Sequence, residues 1–405
     1  MSNEQLSYRA VLRTSHVTRS FIPSIIGRLS LATSGLALVL LLEQSTGSFA
    51  VAGTVTAVLG IANVVATPWR ARIIDRHGQT GALLTLGMGH AAALVALGLT
   101  SAEGLLVLLL IGGIAGATSP PFGATMRVLW SSALPVGSRR TRGFSLDAVA
   151  EELTFAVGPL AAALLAVIVD PLASLILSAG CVAIGSVLFV SSPLSRQQLG
   201  SRLVAGSSSQ PARSPFRSRG FAPVVFAMIA PGVILGCVEI AAPAIADAES
   251  NTVLAGVLLA LFAGASALGG LLYGRVQARS ALERQLLALA LALLLISTIT
   301  GLVGGTIAAV IGFTLSGLFL APVLIVGYLA ADLRSDPRVR TEASSWINTA
   351  LNLGAAVGAG VFGALTDAAG PGLALALSSA VAGVVLTACA PALLRAFLPG
   401  KSETG

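Results

Sequence analysis

Residues 21–42 read FIPSIIGRLSLATSGLALVLLL, an apolar run interrupted by a single charge, Arg28. At about 1.5 Å per residue a helix of that length is ~33 Å long, which matches the hydrocarbon core of a bilayer. Three arginines precede it (Arg9, Arg13 and Arg19), as they would in a signal peptide. The run is too long for a signal core and has no convincing cleavage site, so it reads as a first spanning helix.

Runs of the same kind follow near 49–69, 81–100, 103–126, 145–169 and 172–192, then near 221–246, 250–274, 285–303, 305–330, 342–366 and 371–394. The 405-residue chain is 55% apolar and 10% charged, with a mean hydropathy of +0.90. Soluble domains carry about 25% charged residues, and a compact globule this apolar could not build a solvated shell. The expected fold class is therefore all-α and integral to a membrane, with about twelve spanning helices. The high Gly and Ala content of the runs suits helices packed closely in lipid.

The net charge of +7 comes from arginine, since of 24 basic residues only Lys401 is a lysine. In a soluble protein that balance suggests nucleic acid. Here the arginines sit in short segments between apolar runs, so no nucleic-acid partner is expected. Alternate connections hold Arg70, Arg72 and Arg76; Arg139, Arg140 and Arg142; Arg275, Arg279 and Arg284; and Arg334, Arg338 and Arg340. The intervening ones hold Glu43, Glu103, Asp170, Asp247, Glu249 and Asp367, and no arginine. The positive-inside tendency puts the arginine side in the cytoplasm, with both termini, which requires an even number of spans. The expected location is a multi-pass position in the plasma (inner) membrane of a prokaryote.

The connection Pro193 to Gly220 differs from the others. It carries Arg196, Arg202, Arg213, Arg217 and Arg219, no acid, and the polar stretch Ser207-Ser208-Ser209-Gln210-Pro211, a linker composition. Its arginines suit anionic lipid headgroups. The chain then divides into a six-helix bundle with its tail (1–192), a cytoplasmic linker (193–220) and a second six-helix bundle with its tail (221–405).

The halves resemble each other. A shift of 200 positions pairs Arg140-Thr141 with Arg340-Thr341, Ala156-Val157-Gly158 with Ala356-Val357-Gly358, and Pro171 with Pro371. A shift of 203 pairs Ala52-Gly53 with Ala255-Gly256, and Arg72 and Arg76 with Arg275 and Arg279. The fifth span thus corresponds to the eleventh and the second to the eighth. Parallel six-helix repeats of this kind let two halves rock about a midplane site.

The segment Pro68-Trp-Arg-Ala-Arg-Ile-Ile-Asp75-Arg76-His-Gly78-Gln79 resembles the loop signature between the second and third helices of the major facilitator superfamily. Asp75, Arg76 and Gly78 are kept, while Ala71 stands at the first Gly position and Gln79-Thr80 replaces the basic pair. Ser119-Pro120-Pro121-Phe122 with Arg127-Val-Leu-Trp130, Glu151-Glu152 through Gly158-Pro159, and Thr341-Glu342-Ala-Ser-Ser-Trp346 are similar to the drug-efflux-like, drug:proton antiporter branch. Gly158-Pro159 resembles the antiporter signature in abbreviated form, with Ala161 and Ala162 where further glycines are common. The resemblance spans Phe21 to Leu394. It implies the major facilitator fold of two pseudo-symmetric six-helix bundles, alternating access, and a gating role for the Asp75–Arg76–Gly78 loop. By that pattern the loop bonds across the cytoplasmic side to hold the outward-facing state. Arg127 can join Asp75 or Glu152 in one network, and the second half carries Ala278 where Asp75 would map.

Ionisable groups inside apolar runs are the other pointers, because charge at membrane depth is costly and usually faces protein or water. Arg28 in the first span and Glu151 and Glu152 in the fifth lie at similar depth. They can pair, or Arg28 can snorkel to the headgroups while the acids stay near water. Glu239 lies about seventeen residues into the seventh span, on its outer half, with no arginine nearby in sequence. It reads either as a proton carrier in a cavity or as a solvated surface acid. Trp346, Asn348 and Asn352 are possible substrate contacts, or interhelical packing groups. His90 reads as a buried neutral packing residue and His77 as a loop residue.

Cys181, Cys237 and Cys389 lie in apolar runs without metal-type spacing, and no phosphate-binding loop or metal cluster is present in the sequence. No cofactor, metal site or ATP coupling is expected, which leaves the proton gradient as the energy source. The function expected is a secondary active transporter, a monomer whose partners are protons, membrane lipids and a small substrate. It would export hydrophobic or amphiphilic compounds. A sugar or metabolite exporter of the same fold is the alternative, ahead of a polytopic membrane enzyme or receptor.

Overall fold

The structure, a computed structural model, describes residues 7–200, 214–250, 252–275 and 280–395. Arg202, Arg213, Arg279, Ala278 and the 207–211 stretch lie outside the described residues, as does the side chain of Asp367. Among the described residues every regular element is a helix. Among the described residues, twelve helices are long and apolar enough to cross a membrane. They are α1 (Val17–Thr46), α2 (Val51–His77), α3 (Gln79–Leu99), α4 (Leu105–Ala133), α5 (Ser138–Ile168), α6 (Pro171–Ser191), α7 (Phe221–Ala248), α8 (Leu254–Tyr273), α9 (Leu282–Val303), α10 (Gly305–Arg334), α11 (Pro337–Thr366) and α12 (Ala368–Leu394).

Local chemistry sets their ends. Gly47 closes α1 in a left-handed conformation, its N–H on the Glu43 carbonyl. Asp170 caps α6 through the Ala173 N–H (2.6 Å), with Pro171 at the first helical position, where a missing N–H is harmless. Its repeat partner Pro371 follows Gly370 (φ 75°, ψ 162°), the non-helical residue between α11 and α12. α2 ends later than the hydropathy suggests. Arginine is a good helix former, so the ladder continues through Arg70, Arg72 and Arg76 and stops only at Gly78 (φ 89°, ψ 163°). Asp75 and Arg76 therefore stand on the last helical turn rather than in a loop.

The chain divides into two compact units. Unit 1 comprises Met1–Gly143, Ala150–Ala212 and Arg338–Ser345; unit 2 comprises Phe144–Val149, Arg213–Pro337 and Trp346–Gly405. In unit 1, α1 packs on α6, α2 on α4, and α3 on α6. In unit 2, α8 packs on α10, α9 on α10, and α7 on α8. The α2–α4 and α8–α10 pairs are equivalents in the repeat.

Small residues make these contacts close, and they recur in register. Gly116 of α4 leaves no room for a Cβ against the Leu59 carbonyl of α2, and Gly317 of α10 leaves none against the Phe262 carbonyl of α8. Gly158 of α5 meets Ala32 of α1 in the same way, and Gly358 of α11 meets Val233 of α7. The shifts are 201 and 203 in the first pair and 200 and 201 in the second, so the sequence repeat is also a repeat of packing. Large apolar side chains such as Val65, Leu99, Val167 and Ile307 remain exposed, which is the surface that lipid solvates.

Candidate functional site

The loop signature and the start of α11 come together within unit 1. α11 opens with a 3-10 turn, Pro337–Val339, and continues as α-helix from Arg340, where Val339 has no side-chain acceptor to cap it. The N–H groups of the second and third helical residues, Thr341 and Glu342, therefore need an oxygen from elsewhere. Asp75 supplies it. Its Oδ2 accepts from the Glu342 N–H at 2.9 Å and its Oδ1 from the Thr341 N–H at 3.3 Å. These are the contacts that an N-cap carboxylate makes, and its negative charge suits the positive end of the helix dipole. One turn back on α2, Arg72 Nε donates to Glu342 Oε1 at 2.7 Å. Glu342 is buried, with its side chain 4% exposed, while Arg72 is 42% exposed. Glu342 is thus held by both its backbone and its side chain.

Gly78 has a separate reason to be glycine. Its φ and ψ fall where other residues are strained, and the backbone of Gln198 to Gly200 passes directly over it. Gln79 N–H donates to the Gln198 carbonyl (3.3 Å), so the beginning of the linker is docked on the loop after Asp75. Arg76 is exposed and has no partner among the described residues.

Arg127 is buried in α4, 2% exposed, and its Nη2 lies 3.4 Å from Glu151 Oε2 on α5. Arg127 thus pairs with Glu151 on the neighbouring span. Arg28 is 8% exposed and lies beside Gly27, which packs against the Phe122 ring of α4; it is held inside the unit, not extended into solvent. Glu152 is partly exposed. Gly158 meets Ala32, which gives the Gly158-Pro159 site a packing role between α5 and α1.

Glu239 is exposed on α7, in line with Pro243 and Asp247 at four-residue intervals, while Val238, Ala241 and Ala242 are buried. On α11, Trp346 meets Phe216 edge to face (4.9 Å), and Phe216 in turn meets Phe221 (5.2 Å). Asn348 accepts a hydrogen bond from the Tyr328 hydroxyl. Asn352 is exposed, with no partner among the described residues. Asn348 is thus engaged through its Oδ1, whereas the whole Asn352 amide is uncommitted among the described residues.

Sequence reasoning missed three partnerships. Besides Arg72–Glu342, Glu283 of α9 is buried against Arg334 of α10, whose Nε donates to Glu283 Oε1 at 3.1 Å. Arg70 and His90 form a buried network around a break in α4. The missing cap at Val339 was the available signal for Asp75; nothing in the sequence pattern pairs Arg72 with Glu342. Among the described residues no cluster of three or more His, Cys, Asp or Glu could hold a metal.

The sequence profile of the Major Facilitator Superfamily matches residues 21–279. No protein of curated function matches the chain significantly by sequence. Among solved structures, the human organic anion transporter TETRAN is similar at TM-score 0.70 and 15% identity, covering 92% of this chain and 98% of that one. A bacterial homologue of the iron transporter ferroportin, in an outward-facing state, is similar at TM-score 0.70 and 14% identity, covering 94% and 99%. The E. coli fucose:proton symporter gives TM-score 0.65 and 16% identity, covering 91% and 98%.

Proposed function

The chain belongs to the major facilitator superfamily and is an integral multi-pass transporter rather than an enzyme, and from that premise we propose that it exports small hydrophobic or amphiphilic compounds in exchange for protons. It works by alternating access, as a monomer in a prokaryotic plasma membrane with both termini cytoplasmic. The observation that carries the mechanism is the Asp75 cap on Thr341 and Glu342. It joins α2 of the first sequence half to α11 of the second through bonds to backbone N–H groups at one helix end. Such bonds are strong while aligned and are lost together when that end moves, which suits a latch between two states. The latch lies at the arginine-rich end of α2, on the cytoplasmic side in this reading, so it holds the outward-facing state.

The substrate class rests on what the spans offer. Charges within them are few, and Arg127 is engaged with Glu151. Little remains to neutralise a strongly charged substrate, whereas the chain is rich in apolar side chains. Proton coupling rests on Glu239, an exposed acid on the half of α7 away from the arginine-rich ends. The test is reconstitution in liposomes with an imposed pH gradient, using ethidium and a neutral dye as probes and a set of sugars as the alternative substrates. Gradient-driven movement of the dyes supports the proposal. Movement of sugars with no dye export would replace it with the metabolite-exporter reading.

A further inference from the structure

The fourth span stops at Thr118 and resumes at Phe122, about halfway along α4, with Ser119-Pro120-Pro121 between. Two consecutive prolines withdraw the N–H groups that would bond to the Gly116 and Ala117 carbonyls. Gly116 O recovers a bond from the Ser119 N–H (3.3 Å), but an apolar span offers no water to complete the interrupted ladder.

Two buried donors from neighbouring spans meet the break. Arg70 of α2 is 1% exposed. Its Nη1 donates to Gly116 O (2.9 Å) and to Ser119 O, and its Nη2 to Asn63 O (2.9 Å), Asn63 Oδ1 (2.7 Å) and Thr67 Oγ1. His90 of α3 is also 1% exposed, with Nδ1 2.7 Å from Ala115 O. A carbonyl can only accept, so Nδ1 carries the proton. Among the described residues no carboxylate pairs with Arg70. Its charge sits at the C-terminal end of the half-helix Leu105–Thr118, where a helix dipole favours a cation.

The second half of the chain is an internal control. In the register fixed by Gly116/Gly317 and Leu59/Phe262, Pro121 corresponds to Pro322, but Pro120 corresponds to Ala321. With the 203-residue shift, Arg70 maps to Tyr273 and His90 to Leu293. α10 runs unbroken through Pro322 from Gly305 to Arg334. The second proline and both donors occur together in one half, and all three are replaced in the other. Donors kept only to fill space would have no reason to accompany the proline.

We propose that Arg70 and His90 are positioning residues that hold the Ser119–Pro121 break as a fixed elbow, so that α4 works in transport as two rigid pieces. This rests on the transporter reading above. The test compares Arg70→Met, Arg70→Lys, His90→Leu and the combination Arg70→Met, His90→Leu, Pro120→Ala, which recreates the unbroken form of the second half. The readouts are detergent melting temperature, amide exchange across residues 114–126, and ethidium turnover and KM in liposomes.

Arg70→Met and His90→Leu should each lower the melting temperature and speed exchange at the break by about tenfold or more. Arg70→Lys should fall between parent and Met, because one ammonium cannot reproduce the guanidinium fork. Adding Pro120→Ala should restore melting and slow exchange below that of the parent. In that combination turnover stays about tenfold down with KM unchanged, since the donors touch no substrate. Unchanged exchange in Arg70→Met, or parental turnover in the combination, overturns the proposal. If the parent exports no ethidium, the substrate reading fails, while the exchange comparison still upholds or rejects the elbow.

Discussion

Asp75 and Glu342 are joined through the backbone: the carboxylate of one accepts the N–H of the other at 2.9 Å, while Arg72 holds the Glu342 side chain at 2.7 Å. A helix cap supplied from 267 positions away ties two segments remote in sequence at a single helix end.

Asp75→Asn keeps an oxygen acceptor but loses the charge, and Asp75→Ala loses both. Loss of an N-cap costs about 1 kcal/mol, which shifts a two-state equilibrium by roughly fivefold. Transport rate should fall in the order Asp, Asn, Ala, with melting temperature little changed. Cysteines introduced near the arginine-rich ends should become more reactive in the same order. Parental transport in Asp75→Ala with unchanged thiol reactivity would remove the latch from the mechanism.

Gly78→Ala tests the other half of this cluster. At φ 89° and ψ 163° a side chain is strained by about 1–3 kcal/mol, and here it would also meet the linker backbone at Gly200. The expected outcome is a lower melting temperature in detergent together with faster proteolysis near residue 200. A variant as stable as the parent would show that this docking carries no strain.

The topology can be checked separately. In a chain with Cys181, Cys237 and Cys389 replaced, single cysteines at Glu103 and Ala248 should react with an impermeant thiol reagent from outside intact cells, and one at Val136 should not. Labelling of Val136 from outside would reverse the assigned orientation.

Legibility in the sequence followed the kind of physics involved. Hydropathy reports which segments lipid can solvate, so twelve spans were visible. Close helix contacts need glycine, so Gly158 and Gly358 carried the repeat into the packing. The end of α2 was misplaced because arginine looks like loop to a hydropathy reading but is a good helix former. Arg70 served only as a marker of membrane side, and its burial depends on five neutral oxygens brought from two spans, which leave no periodic trace. Asp75 was recognised by its signature, but backbone N–H groups are its partners, and these have no residue code beyond the absent cap at Val339. Asn348 and Trp346 also have intramolecular neighbours, Tyr328 and Phe216, that no sequence pattern announces.

The coupling prediction concerns Glu239. A proton carrier must be reachable by protons and able to exist in both charge states during the cycle. Glu239 is exposed on α7, four residues from Pro243 on a face otherwise short of charge until Asp247, and the proposal requires that this face lines a water-filled path. Buried Glu283 is clamped by Arg334, and Glu151 lies against Arg127, so both of those acids already have cations beside them. An acid already engaged in an ion pair suits a structural role better than that of a carrier. Glu239→Gln fixes the neutral state with little change of shape. Ethidium binding and counterflow exchange, which need no net proton movement, should persist in this variant, while acceleration of efflux by an imposed pH gradient should disappear. Parental gradient-driven efflux in Glu239→Gln would pass the role to Glu151 or Glu152, each tested as its Gln variant in the same liposomes. Loss of counterflow together with gradient-driven efflux would instead mark Glu239 as a substrate contact.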